Sequence, residues 1–304
     1  MQNQAHAGAA PRRLHLVDAS PYIFRAFYSL PSSLTDPEGR PINAVRGFVD
    51  MLARFIREER PEHLLVAFDG SLTTSFRNDV YPEYKANRDL PDEDLVAQLD
   101  RCQEVAAAMG AFCCIDDRYE ADDLVATAKA RFSPEVEETV VVTADKDLAQ
   151  LVDERTWFLD FARGTRLGPA DVVERFGVRP EQIREFLGLA GDSVDNIPGV
   201  RGVGPKTAVA LLQEFADLDE LYGDLDRVAG LTIRGARTLG KKLAEHREAA
   251  FLSRDLATCA TDAPLDATLD RLAYRGADPG TLGPLLDRFG LSGRLDAVPH
   301  QTNP

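Results

Sequence analysis

Residues 140–145 read VVVTAD. A run of branched apolar residues this short, stopped by a polar residue, predicts a strand buried on both faces. LHLVD (14–18) and LLVAFD (64–69) repeat the pattern, so three such runs end in Asp145, Asp18 and Asp69. FCCI (112–115) and TWFLD (156–160) supply two further strands. Between them lie helical patterns such as AVRGFVDMLARFIREE (44–59) and DEDLVAQLDRCQEVAAAMG (92–110). Strands alternating with helices imply an α/β fold: a mostly parallel central sheet with helices on both faces.

After Gly177 the strand signal fades, and short helices punctuated by Gly and Pro follow. The reading is therefore a flexible leader over 1–11, an α/β domain over 12–190, an all-helical domain over 191–291 and a fraying tail over 292–304. Of the 304 residues, 50 are Asp or Glu and 35 are Lys or Arg, a formal net charge of −15. That average speaks against a protein coated throughout for polyanions. Uninterrupted apolar stretches of membrane-spanning length are missing, and the leader lacks an apolar signal core. Cys102, Cys113, Cys114 and Cys259 lack metal-ligand or redox spacing and read as reduced thiols, which suits a cytoplasmic protein.

In open parallel sheets ligands bind beyond the carboxyl ends of the strands. One aspartate there is equally a turn or cap residue, but three parallel strands ending alike put three carboxylates on one edge. Asp147 follows Asp145 by two residues. YEADDLVATAKA (119–130) adds Glu120, Asp122 and Asp123 in the first turn of a helix. A helix dipole welcomes acids there, yet three together repel unless a cation lies between them. Asp192 and Asp195 complete nine carboxylates. All-oxygen clusters suit Mg²⁺ or Mn²⁺, and the scarcity of histidine speaks against zinc. Two such ions ~4 Å apart could activate water and stabilise a leaving oxygen, so the pattern predicts a two-metal phosphoryl site.

SLTTSFRNDVYPEYKANRDLPD (71–92) interleaves Phe76, Tyr81 and Tyr84 with Arg77, Lys85 and Arg88. A polar connection this long is usually functional, and it reads as a mobile flap or arch over the site. Behind Asp192 and Asp195 comes NIPGVRGVGPKT (196–207). Pro205 separates Gly204 from Lys206, which excludes a P-loop, and the glycine order excludes a dinucleotide fingerprint. A tight turn between two short helices fits, with Gly199 and Gly202 at the bend and Pro205 opening the second helix. Its amides, with Arg201, Lys206 and Thr207 alongside, could approach a phosphate, although a plain helix connection explains the same residues. Leu231–Arg247 favours the phosphate, holding Arg234, Arg237, Lys241, Lys242 and Arg247 against one acid, Glu245.

Together LVDAS (16–20), FDG (68–70), SFRNDVYPEYKANRD (75–89), YEADDLVA (119–126), TADKDLAQLV (143–152) and GDSVDNIPGVRGVGPKTA (191–208) resemble the structure-specific 5′-nucleases. These include the 5′-nuclease domain of bacterial DNA polymerase I, phage 5′-exonucleases and flap endonucleases. The stretches follow the family's order and span residues 12 to 290. The resemblance implies a PIN-like catalytic core and a helix-hairpin-helix domain that grips duplex DNA. Asp18, Asp69, Glu120 and Asp122 match ligands of one metal, and Asp145, Asp147, Asp192 and Asp195 those of a second. Asp123 matches an acid of the bacterial members. Tyr84, Lys85 and Arg88 match arch residues that meet the scissile region, Arg77 of the same segment is expected on DNA, and Arg25 matches a basic residue after the first aspartate. The hairpin implies a K⁺ ion held by carbonyls. The implied activity is 5′-3′ exonuclease and 5′-flap endonuclease cleavage in replication and repair, on 5′ flaps, nicked or forked duplexes and 5′ ends, by a bacterial cytoplasmic monomer. No polymerase or proofreading sequence follows, which reads as a free-standing nuclease or a piece of a longer chain. Two other readings share some features: a flap- or junction-binding scaffold without activity, and a metal phosphatase acting on small esters.

Overall fold

The computed structural model describes residues 12–233 and 235–300; the 1–11 leader and Arg234 lie outside the described residues. Six strands, β1 (Arg13–Asp18), β2 (His63–Asp69), β3 (Phe112–Asp116), β4 (Glu138–Val142), β5 (Thr156–Asp160) and β6 (Thr165–Leu167), form one sheet in the order β3-β2-β1-β4-β5-β6. The first five pair in parallel, and β6, which the sequence pattern did not announce, closes the edge antiparallel. The crossovers are helical: α1 (Ser20–Ser29) and α2 (Asn43–Glu59) after β1, α3 (Arg77–Val80) and α4 (Glu93–Ala108) after β2, and α5 (Ala121–Phe132) after β3.

The period-two alternation of a strand divides the branched residues between two cores. Val17, Leu64, Val66, Phe68, Val140 and Val142 face α1, α2 and α4. Leu14, Leu16, Leu65, Ala67 and Val141 face α5. Gly47 is needed where α1 crosses α2, because a Cβ there would lie 2.5 Å from the Ala26 Cβ.

Then come α6 (Pro169–Phe176), α7 (Ile183–Ala190), α8 (Pro205–Glu214), α9 (Leu218–Gly223), α10 (Leu225–Val228), α11 (Ala236–Glu245) and α12 (Arg247–Ala257). They enclose a separate core that also takes Phe158 and Leu167 from β5 and β6. This changes the division expected from sequence. The helical core reaches back to β5 and β6 at one side of the sheet, so residue 191 is not where one core ends. The chain beyond α12 leaves it altogether: Cys259, Ala263, Ala267, Leu269 and Leu272 cover the α5 face of the sheet. Helix α13 (Pro279–Arg288), Phe289, Leu291 and Val298 pack on the opposite core. Much of the supposed tail is likewise built in, with a 3₁₀ turn at Ser292–Ala297, a buried Val298 and an Arg294–Asp50 ion pair at 2.7 Å. Apolar side chains decide this, since leaving them in water costs more than the return of the chain.

Candidate active site

The carboxyl ends of β1, β2 and β4 open into a cleft of about 630 Å³. Asp18, ending β1, is buried and accepts hydrogen bonds from Thr143 Oγ1 at 2.8 Å and the Ser20 amide at 3.3 Å. Thr143 also accepts from the Asp145 amide at 2.9 Å, so one hydroxyl ties the end of β4 to the end of β1. Asp69, ending β2, accepts from Ser20 Oγ and from the Ala121 amide at 2.8 Å, at the start of α5. Asp145 caps the turn that follows β4, accepting from the Asp147 amide at 2.9 Å. Glu120 sits at the N-cap of α5, with Asp122 in its first turn.

Asp192 and Asp195 come from the loop after α7, where Asp192 exchanges backbone hydrogen bonds with Ile197 at 2.9 and 2.7 Å. That loop is stapled to the 71–92 segment. The Lys85 amide donates to the Asp195 carbonyl at 3.0 Å, Asn87 Nδ2 to Ser193 O at 2.7 Å and Asn196 Nδ2 to Glu83 O at 2.6 Å. The segment expected to be a mobile flap or arch carries a short helix and is tied at a second point, where the Phe76 amide donates to Arg118 O at 2.9 Å. Lys85 Nζ reaches Glu120 at 2.6 Å, and Arg88 pairs with Asp195.

Nine acidic residues line the cleft against five basic ones, Lys85, Arg88, Lys146, Arg163 and Arg175. The imbalance shows in the titration of the acids. Burial first, and the neighbouring charge of Asp69, push Asp18 well above the usual carboxylate range; burial with Asp18 and Asp145 does the same to Asp122. Burial also raises Asp69 and Asp145 and, with Asp145 beside it, pushes Asp147 up to about 7. Glu120 departs the other way: burial opposes its charge, but Lys85 and Arg77 hold it below the ordinary value. Uncompensated negative charge in an all-oxygen donor set fits hard divalent cations. The donors are not drawn together, however: among the described residues no three acidic, imidazole or thiol side chains converge into a metal shell.

Eight of the nine carboxylates read from sequence line this cleft, with Lys85 and Arg88. Asp123 does not. Its two oxygens accept from Arg77 Nη1 and Nη2, both at 2.8 Å, and from the Glu120 and Ala260 amides at 3.1 and 2.8 Å, which leaves no lone pair aimed at the cleft. Arg77, expected on DNA, is 3% exposed and spends its donors on that pair and on the Leu256 and Thr258 carbonyls. Tyr84 is 4% exposed, packed with Ile197 and Leu256 and donating to Glu120 at 3.1 Å, so its ring is not presented to a base. Arg25 lines a different groove between α1 and α2, beside Met51 and Arg54.

The glycine turn is a helix hairpin joining α7 to α8, with Gly199 and Gly202 at φ +61° and +85°. A Cβ on Gly199 would lie 2.4 Å from the Gly191 nitrogen, and Ser253 Oγ accepts from the Gly199 amide at 2.9 Å. Gly204 precedes Pro205 at the first turn of α8, where helix amides have no intrahelical partner. Arg201 and Lys206 are exposed there, Thr207 is half-buried, and Lys242 on α11 brings its ammonium to the Gly202 turn. Lys241 is exposed and pairs loosely with Glu245 at 3.8 Å. Sequence reading missed Ser20, Thr143, Lys146, Arg163, Arg175 and Ser253. Only Lys146 carried a signal, lying between Asp145 and Asp147.

Comparison with known proteins places the chain in a family. The N-terminal resolvase-like domain of the 5′-3′ exonucleases matches residues 13–177, and their C-terminal SAM-fold domain matches 178–280. DNA polymerase I of Pseudomonas aeruginosa is 45% identical over 261 residues, which is 85% of this chain and 28% of that protein. DNA polymerase I of Rhizobium leguminosarum is 41% identical over 266 residues, 85% of this chain and 26% of that protein. The chain thus spans little more than a quarter of these curated relatives. A bacteriophage T5 flap endonuclease, solved as a pseudo-enzyme-product complex with DNA and metal ions, superposes with a TM-score of 0.68 at 21% identity, covering 91% of this chain and 99% of that one. The catalytic core of Rad2 with DNA substrate gives 0.62 at 15%, covering 94% and 90%. At such identities the two structures establish the shared fold.

Proposed function

The chain belongs to the 5′-3′ exonuclease family, and on that footing we propose that it hydrolyses DNA phosphodiester bonds at 5′ flaps, nicks and 5′ ends. One observation carries the reading: eight carboxylates from separate segments line one cleft, which the pinned 71–92 segment and its Lys85 and Arg88 border. Asp18, Asp69, Glu120 and Asp122 would hold one divalent cation, and Asp145, Asp147, Asp192 and Asp195 a second, with Mg²⁺ or Mn²⁺ suiting the oxygen donors. Bound there, such ions supply Lewis-acid activation of water and stabilise the leaving oxygen.

The chain's own residues do the rest. The hairpin amides, Lys206 and Lys242 hold duplex phosphates without reading bases, and K⁺ bound at the hairpin carbonyls would reinforce that grip. Lys85 and Arg88, tied to Glu120 and Asp195 here, turn to the charge that develops on the scissile phosphate. Ser20 and Thr143 keep Asp18 and Asp69 oriented. The products are a 5′-phosphate and a 3′-hydroxyl, consistent with work in replication and repair beside bacterial DNA. Among the described residues no helix is long and apolar enough to cross a membrane. A labelled 5′-flap duplex incubated with Mg²⁺ should be cut near the flap junction, and EDTA should stop it. Cutting in EDTA, or binding without cutting in Mg²⁺, would reject the proposal.

A further inference from the structure

Lys146 projects from the turn after β4 into the midst of the carboxylates. Its Nζ lies 3.1 Å from Asp192 Oδ2 and 3.6 Å from Asp147 Oδ1, with more than half of the side chain exposed. Lys85 and Arg88 neutralise Glu120 and Asp195 from the opposite wall, so the cations divide the cleft. Asp18, Asp69 and Asp122 have no ion-pair partner among the described residues, whereas Asp147, Asp192 and Asp195 are each bridged by a side-chain cation. On the Asp147 side the pairing runs to Asp147 and Asp192 from one ammonium. A basic side chain stands between the donors.

We propose that Lys146 is an exchangeable counter-ion of the Asp147–Asp192 pair, displaced by a divalent cation and thereby released to an incoming DNA phosphate. The inference rests on the proposed function above. A divalent cation shared by Asp147 and Asp192 would repel an ammonium 3.1 Å from one of its ligands. Lys146 is the exposed partner of the pair, so its ammonium can return to water as the divalent charge replaces it at the carboxylates. The compact charge on a flexible four-carbon stem can turn to a phosphate without moving the backbone. Cation loading is then coupled to substrate binding: until the cation arrives Lys146 serves the acids, and afterwards it serves the DNA.

Two measurements on Lys146→Gln have opposite expected signs. Calorimetric titration with Mg²⁺ and no DNA should show the weaker site tightened by about fivefold, because a competing charge has gone. Anisotropy with a nicked duplex whose 5′-terminal linkages are cleavage-resistant phosphorothioates should show DNA binding weakened by about fivefold in Mg²⁺ and much less in EDTA. Lys146→Arg, which keeps the charge, should restore both. Mg²⁺ affinity that is unchanged or lower, or a DNA defect equal with and without Mg²⁺, overturns the proposal. A wild-type protein that binds no Mg²⁺ in the same titration overturns the proposed function with it, which separates that failure from this one.

Discussion

Arg77 clasps Asp123 by two parallel hydrogen bonds, both at 2.8 Å, with both side chains buried. The pair joins the start of the 71–92 segment to α5, and Arg77 reaches on to the carbonyls of Leu256 at 2.7 Å and Thr258 at 3.0 Å. Arg77→Leu and Asp123→Leu should each lower stability by about 3–5 kcal/mol, because each leaves a buried charge without its bidentate partner. Urea unfolding of both single variants and the double Leu variant checks this. The double variant should be less destabilised than the sum of the two singles; strict additivity would show that the pair is not coupled.

Asp145→Asn separates catalysis from stability. The amide keeps an oxygen for the Asp147 backbone, so the cap survives. Turnover on a 5′-flap in Mg²⁺ should fall on the order of 100-fold or more, while binding of the duplex in EDTA stays near wild type. Burial and like charge already disfavour ionised Asp145, so the metal-free variant should melt at a higher temperature than wild type. Near-normal turnover would remove Asp145 from the site.

Two glycines of one hairpin should respond differently. At Gly199 a methyl group would meet the Gly191 backbone at 2.4 Å and φ is +61°, so Gly199→Ala should destabilise the helical unit by several kcal/mol. Gly202, at φ +85°, has only the Lys242 ammonium nearby, at 3.5 Å. Gly202→Ala should cost about 1 kcal/mol in thermal unfolding and weaken duplex binding more than its stability loss accounts for. Equal stability losses at the two positions would contradict this.

His15 sets part of the acid limit. It lies fully buried on β1 against Phe55, and burial lowers its pKa although Glu59 at 3.9 Å opposes the shift; Arg13 and Glu138 also face it. It titrates near 6.5 in the unfolded chain and lower in the folded one, so unfolding takes up a proton between those values. Stability should be full above about pH 6.5 and fall as the pH drops below it, by at most about 1.4 kcal/mol per pH unit from this group. Urea unfolding between pH 7.5 and 5.5 should show a steeper loss for wild type than for His15→Leu. Parallel slopes would assign the loss elsewhere.

The cleft-lining carboxylates were partly legible in the linear chain because strand ends mark Asp18, Asp69 and Asp145. The arch was legible as a segment but not as a state. Its aromatic and basic spacing suggested a mobile surface, whereas Tyr84 packs inward and Lys85 and Asn87 are pinned to the loop that carries Asp195. Arg25 lies outside the acidic cleft for a related reason: it lines the α1–α2 groove, and a helix start alone does not say which face a given position presents.

What the sequence determined by itself is the parallel sheet and the edge on which its acids gather. Short branched apolar runs such as VVV must be covered on both faces whichever helices do the covering, and parallel strands place Asp18, Asp69 and Asp145 at the same end. Tertiary structure alone supplied the partner that takes one of two adjacent acids out of the cleft. Asp122 and Asp123 differ by one helical step of about 100°, and Arg77, 46 residues earlier, claims Asp123. It alone also sent the last forty or so residues back across the sheet, from Cys259 to Val298. Both outcomes depend on contacts between residues distant in sequence, where burial and charge pairing act through space and leave no periodic trace along the chain.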